Sequence, residues 1–93
     1  MSRRAYADLV EIGDFGAAQF GEKAADAYQD AFDHAFQRLA IYPHIGEAKS
    51  AFGNEIRCLV CNRHHILYRT SGDIVQIVRI LHHSRDVSRH LPT

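Results

Sequence analysis

The sequence predicts a small α+β domain, an antiparallel two-helix hairpin packed on one face of a three-stranded antiparallel sheet, in the order α-α-β-β-β. Three observations carry that expectation. Glu55 to Asp86 holds three short runs rich in Ile, Leu, Val and Tyr, broken at Asn62 and at Ser71-Gly72-Asp73. Breaks that short force neighbouring runs to pair as hairpins, because a parallel crossover needs about a dozen residues. Residues 1 to 41 instead repeat their apolar side chains at helical spacing. Finally, 93 residues suffice for one core of modest size, so 1–93 is read as a single domain.

The first helix is expected from Ser2, a good N-cap, to about Phe20, with Gly21 as its stop. At about 100° per residue, Ala5, Tyr6, Leu9, Ile12, Gly13, Gly16 and Phe20 share one arc of about 120°, the face expected to be buried. Glycine costs a helix about 1 kcal/mol relative to alanine, so Gly13 and Gly16 on that arc point to a second helix lying close. That second helix is expected from Glu22 to Ile41, ended by Pro43, whose ring disfavours helical geometry in Tyr42. Tyr28, Phe32, Phe36 and Leu39 form its apolar stripe, flanked by Ala24, Ala25, Ala31 and Ala35, while Asp26, Asp30, Asp33 and Gln37 form a solvated face. Only Gly21 separates the two helices, so they fold back on each other.

Pro43 to Gly53 reads as loop. The third strand, Ile74 to His82, is apolar at nearly every position, with Ile74, Val78 and Ile80 expected on one face and Val75, Ile77 and Leu81 on the other. A strand apolar on both faces is buried on both, and since two helices cover only one, the second is expected to be covered by another chain.

Net charge is zero but unevenly spread: residues 1–50 hold eight acidic and five basic side chains, residues 51–93 three and six. That bias suits an acidic protein partner or nucleic acid equally well and falls short of the strongly basic footprint of a dedicated nucleic-acid binder. No apolar run approaches the roughly 20 residues of a membrane span and Ser2-Arg3-Arg4-Ala5 is no signal peptide, so the expected location is the cytoplasm, with no membrane association.

P-loop, G-x-G-x-x-G, H-E-x-x-H and G-x-S-x-G patterns are absent from the sequence, and no cofactor is expected. Cys58 and Cys61 have C-x-x-C spacing, but residues three apart on a strand face opposite sides, so they read as two reduced thiols with no metal. The pairs His64-His65 and His82-His83 are expected to split across the sheet in the same way. Arg63 or Arg79 with His82 or His83 has the residue types of a nuclease, arginine for phosphate charge and histidine for the proton. Spacing alone does not bring them together.

R-H-H-I-L-Y-R at Arg63 to Arg69, followed by I-V-R-I-L-H-H-S-R-D at Ile77 to Asp86, resembles the C-terminal signature of ParE toxins, in the RelE/ParE superfamily of type II toxin-antitoxin systems. The likeness continues upstream in A-x-x-D-L-x-x-I at Ala5 to Ile12, G-x-x-x-A-x-x-Y at Gly21 to Tyr28 and L-A-x-x-P at Leu39 to Pro43. It implies a protein that is not an enzyme, that inhibits DNA gyrase by binding it, and that a cognate antitoxin neutralises in a heteromeric complex. It implies no sequence-specific contact with nucleic acid. His82, Arg85, Asp86 and Arg89 match the family's L-H-x-x-R-D ending and are carried over as target-contact positions. The second reading is a ribosome-dependent mRNA endonuclease of RelE type, disfavoured by a chain whose only lysines are Lys23 and Lys49. A third is a nontoxic relic that still binds antitoxin. Two departures stand out: only Met1 precedes Ser2 where the family has an N-terminal strand, so either the true start lies upstream or the domain lacks that strand, which would leave a sheet edge unpaired, and Gly13 replaces a larger residue, which would open a pocket between the helices.

Overall fold

The computed structural model describes residues 1–49, 53 and 55–84. Its elements are α1 (Arg3–Phe20), α2 (Glu22–Ile41), β1 (Glu47–Ala48), β2 (Arg57–Cys61), β3 (His64–Ser71) and β4 (Ile74–His82). Both helices end where their local chemistry says they should. The Ser2 hydroxyl accepts the Ala5 N–H at 3.0 Å, capping α1. Gly21, at φ +88°, closes α1 through its N–H to the Ala17 carbonyl and at the same position begins α2. One residue in a conformation costly for any side chain therefore makes the whole reversal.

The helices approach closely where the glycines lie. A Cβ built on Gly16 would sit 3.5 Å from the Ala25 Cβ. One on Gly13 would sit 3.2 Å from Gln29 Nε2, so the expected pocket is occupied by the Gln29 side chain. On α1, Ala5 is buried and Leu9 and Ile12 pack against the core, but Tyr6 and Phe20 are 65% and 71% exposed. Both were expected inside. Tyr6 lies at the margin of the apolar arc, and Phe20 is the last helical residue, where the chain turns back. On α2, Ala25, Phe32, Ala35 and Leu39 are buried, and Asp26, Asp30, Asp33 and Gln37 face water.

The sheet is antiparallel throughout, in the order β1-β2-β3-β4, and so has one strand more than the sequence predicts. The addition comes from the segment read as loop. Glu47 and Ala48 pair with Cys58 and Arg57, a strand of two residues, too short to leave an alternating pattern. It is held from below: the Gly46 N–H donates to the Tyr68 hydroxyl at 2.9 Å, and Arg57 Nη1 donates to the Gly46 carbonyl at 2.7 Å. A Cβ on Gly46 would meet the Tyr68 hydroxyl at 2.5 Å and its ring at 2.7 Å, and Tyr68 is fully buried with no room to withdraw. Gly46→Ala is therefore expected to destabilise the chain by about 1–3 kcal/mol, the usual range for overpacking, read as a lowered urea midpoint. An unchanged midpoint would mean that β1 is not held in this way.

The two hairpin turns fall at the expected breaks, with Asn62 at φ +55° and Gly72 at φ +60°. The faces of β4, however, differ from strict alternation. Leu67 pairs with Arg79 while Tyr68 pairs with Ile77, so Val78 is an extra residue, a β-bulge. The bulge shifts parity by one, and Ile77 and Ile80 join the helix-side core, while Val78 and Leu81 join a cluster with Ile56, Cys58 and Leu67 on the second face. Ile74, expected in the interior, is 69% exposed. The second face does not wait for another chain either, since Ile56, Leu67 and Leu81 are already buried within this one.

Among the described residues no strand precedes α1, yet the outer edge of β4 is engaged. The Ser2 N–H donates to the Ile77 carbonyl at 2.9 Å and its hydroxyl to the Val78 carbonyl at 2.8 Å. One turn later the Asp8 carboxylate accepts the Ile80 N–H at 3.0 Å. The start of α1 thus supplies partners that an edge strand would otherwise provide, which removes the exposed edge expected there.

Candidate functional site

β4 enters the site carrying one cation among apolar residues. Arg79 Nε and Nη2 donate to Asp8 Oδ2 and Oδ1 at 2.8 and 2.9 Å, a bidentate pair with both side chains about a tenth exposed or less. The hydrogen bond to Asp8 is the main reason the Arg79 pKa is raised, outweighing the opposing effect of burial. Arg79 is thus engaged by a carboxylate, and its geometry is that of a structural cation fixing α1 to β4.

Next to this pair, at the end of the sheet, three imidazoles meet. His64, first in β3, lies directly across from His82, last in β4, and their rings cross edge to face at 5.3 Å. His83 follows with its ring 4.3 Å from that of His82. From α2, Tyr28 brings its hydroxyl to 2.7 Å of His64 Nδ1, and Phe32 sets its ring edge-on at 5.6 Å. The Tyr28 oxygen also accepts the Arg63 N–H at 3.3 Å, so it contacts both the ring and the turn. Burial first, then the neighbouring His82, His83 and His65, push the His64 pKa down to about 4. The backbone N–H of Ser84 donates to His82 Nδ1 at 3.2 Å, so this nitrogen is an acceptor. Asp8, Glu11, Ile12, His64, Arg79 and His82 line a shallow pocket between α1 and this end of the sheet.

Of the four target-contact positions carried from the resemblance, His82 is half-buried in this cluster, and Arg85, Asp86 and Arg89 lie outside the described residues. Of the nuclease residue types, Arg79 and His82 line the same pocket, but Arg79 is bound to Asp8, and Arg63 is exposed in the β2–β3 turn, its carbonyl accepting the His83 N–H at 2.8 Å. His64 and His65 do split, His65 pairing opposite Leu81 on the second face. His82 and His83 do not. β4 ends at His82, so alternation ends there and the two rings fall side by side. Cys58 and Cys61 are free, buried and in different core clusters, and burial raises both thiol pKa values, which makes them inert.

Sequence reasoning left Asp8, Tyr28 and the centrality of His64 unassigned. Asp8 had a signal, an acidic residue flanking the buried arc of α1, to be matched with the lone arginine of an apolar strand. Tyr28 and His64, 36 residues apart, had none.

A helical hairpin laid on a short antiparallel sheet, with an ionic lock between them, defines a small α+β protein. In fold the chain is similar to a solved structure titled "Chromosomal ParDE TA system from P. aeruginosa", with a TM-score of 0.75 at 23% identity, covering 87% of this chain and 89% of that one. In sequence it is 35% identical over 92 residues to Toxin ParE1 of Mycobacterium tuberculosis and 30% identical over 91 residues to Toxin ParE1 of Caulobacter vibrioides, in each case covering 98% of this chain and 94% of the relative. Residues 1–87 match the family described as "ParE toxin of type II toxin-antitoxin system, parDE". The chain belongs to the ParE toxin family.

Proposed function

We propose that this toxin inhibits DNA gyrase by protein-protein binding, acts in the cytoplasm, and is neutralised by a cognate antitoxin bound to its surface. The match of residues 1–87 to the ParE family carries the reading. The Asp8–Arg79 pair supports binding over RNA cleavage, because an arginine already held by a carboxylate is poorly placed to stabilise charge on a phosphate. Tyr6, Val10 and Phe20, exposed on one side of α1, supply apolar anchors for an antitoxin segment that folds as it binds. No helix among the described residues is long and apolar enough to cross a membrane. His82, Arg85, Asp86 and Arg89 remain the proposed target contacts.

The test is to incubate the purified chain with gyrase, plasmid and ATP and to look for linear DNA with covalently attached protein after detergent and protease. The expected result is that this species accumulates and is suppressed by the antitoxin. An Arg85→Ala, Arg89→Ala double variant is expected to reduce it at least tenfold. Failure of the species to form sinks the gyrase reading: cleaved mRNA on ribosomes would then favour the RelE-type activity, and normal growth on induced expression would indicate a relic.

A further inference from the structure

We propose that the His64–His82–His83 cluster is a proton-sensitive latch joining α2 to the end of the sheet, closed near neutral pH and loosened by mild acid. At this end of the sheet the polar part of the joint runs through one imidazole, beside the apolar packing of Phe32. His64 touches both layers at once: it pairs with Cys61 and His82 in the sheet and meets Tyr28 and Phe32 from α2. The Tyr28 hydroxyl bridges the same joint twice, to His64 Nδ1 and to the Arg63 N–H.

The groups around His64 leave a charged ring poorly served from every side. From α2 come the Tyr28 hydroxyl, hydrogen-bonded to Nδ1, and the Phe32 ring, which is apolar. From the sheet come His82 across the strand pair, His83 beyond it, His65 next in sequence and the Cys61 thiol, which burial keeps neutral. Arg63 in the turn is exposed and contributes its backbone N–H to the Tyr28 oxygen. From α1, Asp8 has both oxygens on Arg79 and one of them also on the Ile80 N–H, while Glu11 lines the pocket from an exposed position. Burial and the other imidazoles accordingly hold the His64 pKa at about 4.

The sign follows by linkage. An open state that hydrates His64 restores an ordinary pKa near 6.5, so it takes up a proton that the closed state refuses between about pH 6.5 and 4. The closed state is fully favoured above that window and loses ground as pH falls through it, by up to about tenfold per pH unit. Partial solvent access to the ring keeps the total to about ten- to a hundredfold. The latch depends only on this chain and stands whether or not gyrase is its target.

The experiment follows each imidazole by ¹H–¹³C NMR in the full chain from pH 7.5 to 4.5, together with amide hydrogen exchange normalised to intrinsic rates. His64 is expected to titrate at least one unit below 6.5, and the amides from Tyr28 to Phe32 and from His64 to Ile66 to exchange at least tenfold faster relative to intrinsic rates at pH 5 than at pH 7. His64→Phe is expected to remove most of that acceleration. Should it fail to fold, His82→Asn serves, since losing a neighbouring imidazole lets the His64 pKa rise and shrinks the effect. A His64 that titrates near 6.5, or an acceleration that survives either substitution unchanged, overturns the proposal.

Discussion

Asp8→Ala is expected to destabilise the chain by about 3–5 kcal/mol, the range found when one partner of a buried ion pair is removed. The carboxylate accepts three hydrogen bonds, two from Arg79 and one from the Ile80 N–H, at 2.8 to 3.0 Å. Alanine takes the bidentate counter-charge from a guanidinium that is almost wholly inside and leaves a backbone donor of β4 without its acceptor. A chain of this length has a total stability of about 5–14 kcal/mol, so the change removes a large part of it. Urea unfolding followed by circular dichroism measures the loss. The cause is separable from mere truncation, because a double Asp8→Ala, Arg79→Met variant removes both charges together and is expected to recover at least about 1 kcal/mol relative to Asp8→Ala alone. If the double variant is instead as weak as the sum of the single ones, the ionic lock between α1 and β4 is not what Asp8 provides.

Phe32→Ala is expected to cost a similar amount, about 3–5 kcal/mol, by a different mechanism. Its ring is fully buried, edge-on to Tyr28 at 5.5 Å and stacked near Phe36 at 6.3 Å, and it forms the apolar wall against His64. Removing it loses the transfer free energy of the ring and leaves a cavity that the rigid sheet cannot close. A second consequence distinguishes it from an ordinary core truncation. With that wall gone, water reaches the imidazole, and the His64 pKa is expected to move up from about 4 toward its ordinary value. Thermal unfolding reads the first effect and NMR titration the second. A destabilised variant whose His64 titrates as in the parent would detach Phe32 from the latch and leave it as core alone.

What local chemistry controls was legible in the sequence. Ser2 and Gly21 fix the ends of α1, Pro43 follows the end of α2, and Asn62 and Gly72 set the two hairpin turns. The reading of β4 as Ile74 to His82, apolar on both sides, was also correct, because side-chain composition reports burial directly. Which of its residues faces which side was not legible. The bulge at Val78 costs one residue of register, and nothing in a run of Ile, Val and Leu marks where that slip occurs.

The site divides along the same line. Sequence alone determined the helical hairpin, the hairpin-connected strands and the two faces of α2, since each depends on residues a few positions apart, and the family, whose motifs run in order from Ala5 to Asp86. Tertiary structure alone decided the partners of Asp8, Tyr28 and His64, the two-residue strand β1, the burial of the second sheet face and the meeting of His82 with His83. Asp8 meets Arg79 across 71 positions and Tyr28 meets His64 across 36. Such contacts are fixed by how α1 and α2 lie on the sheet, and that placement is set by the packing of Phe32, Leu39, Ile66 and Tyr68 rather than by any pattern along the chain.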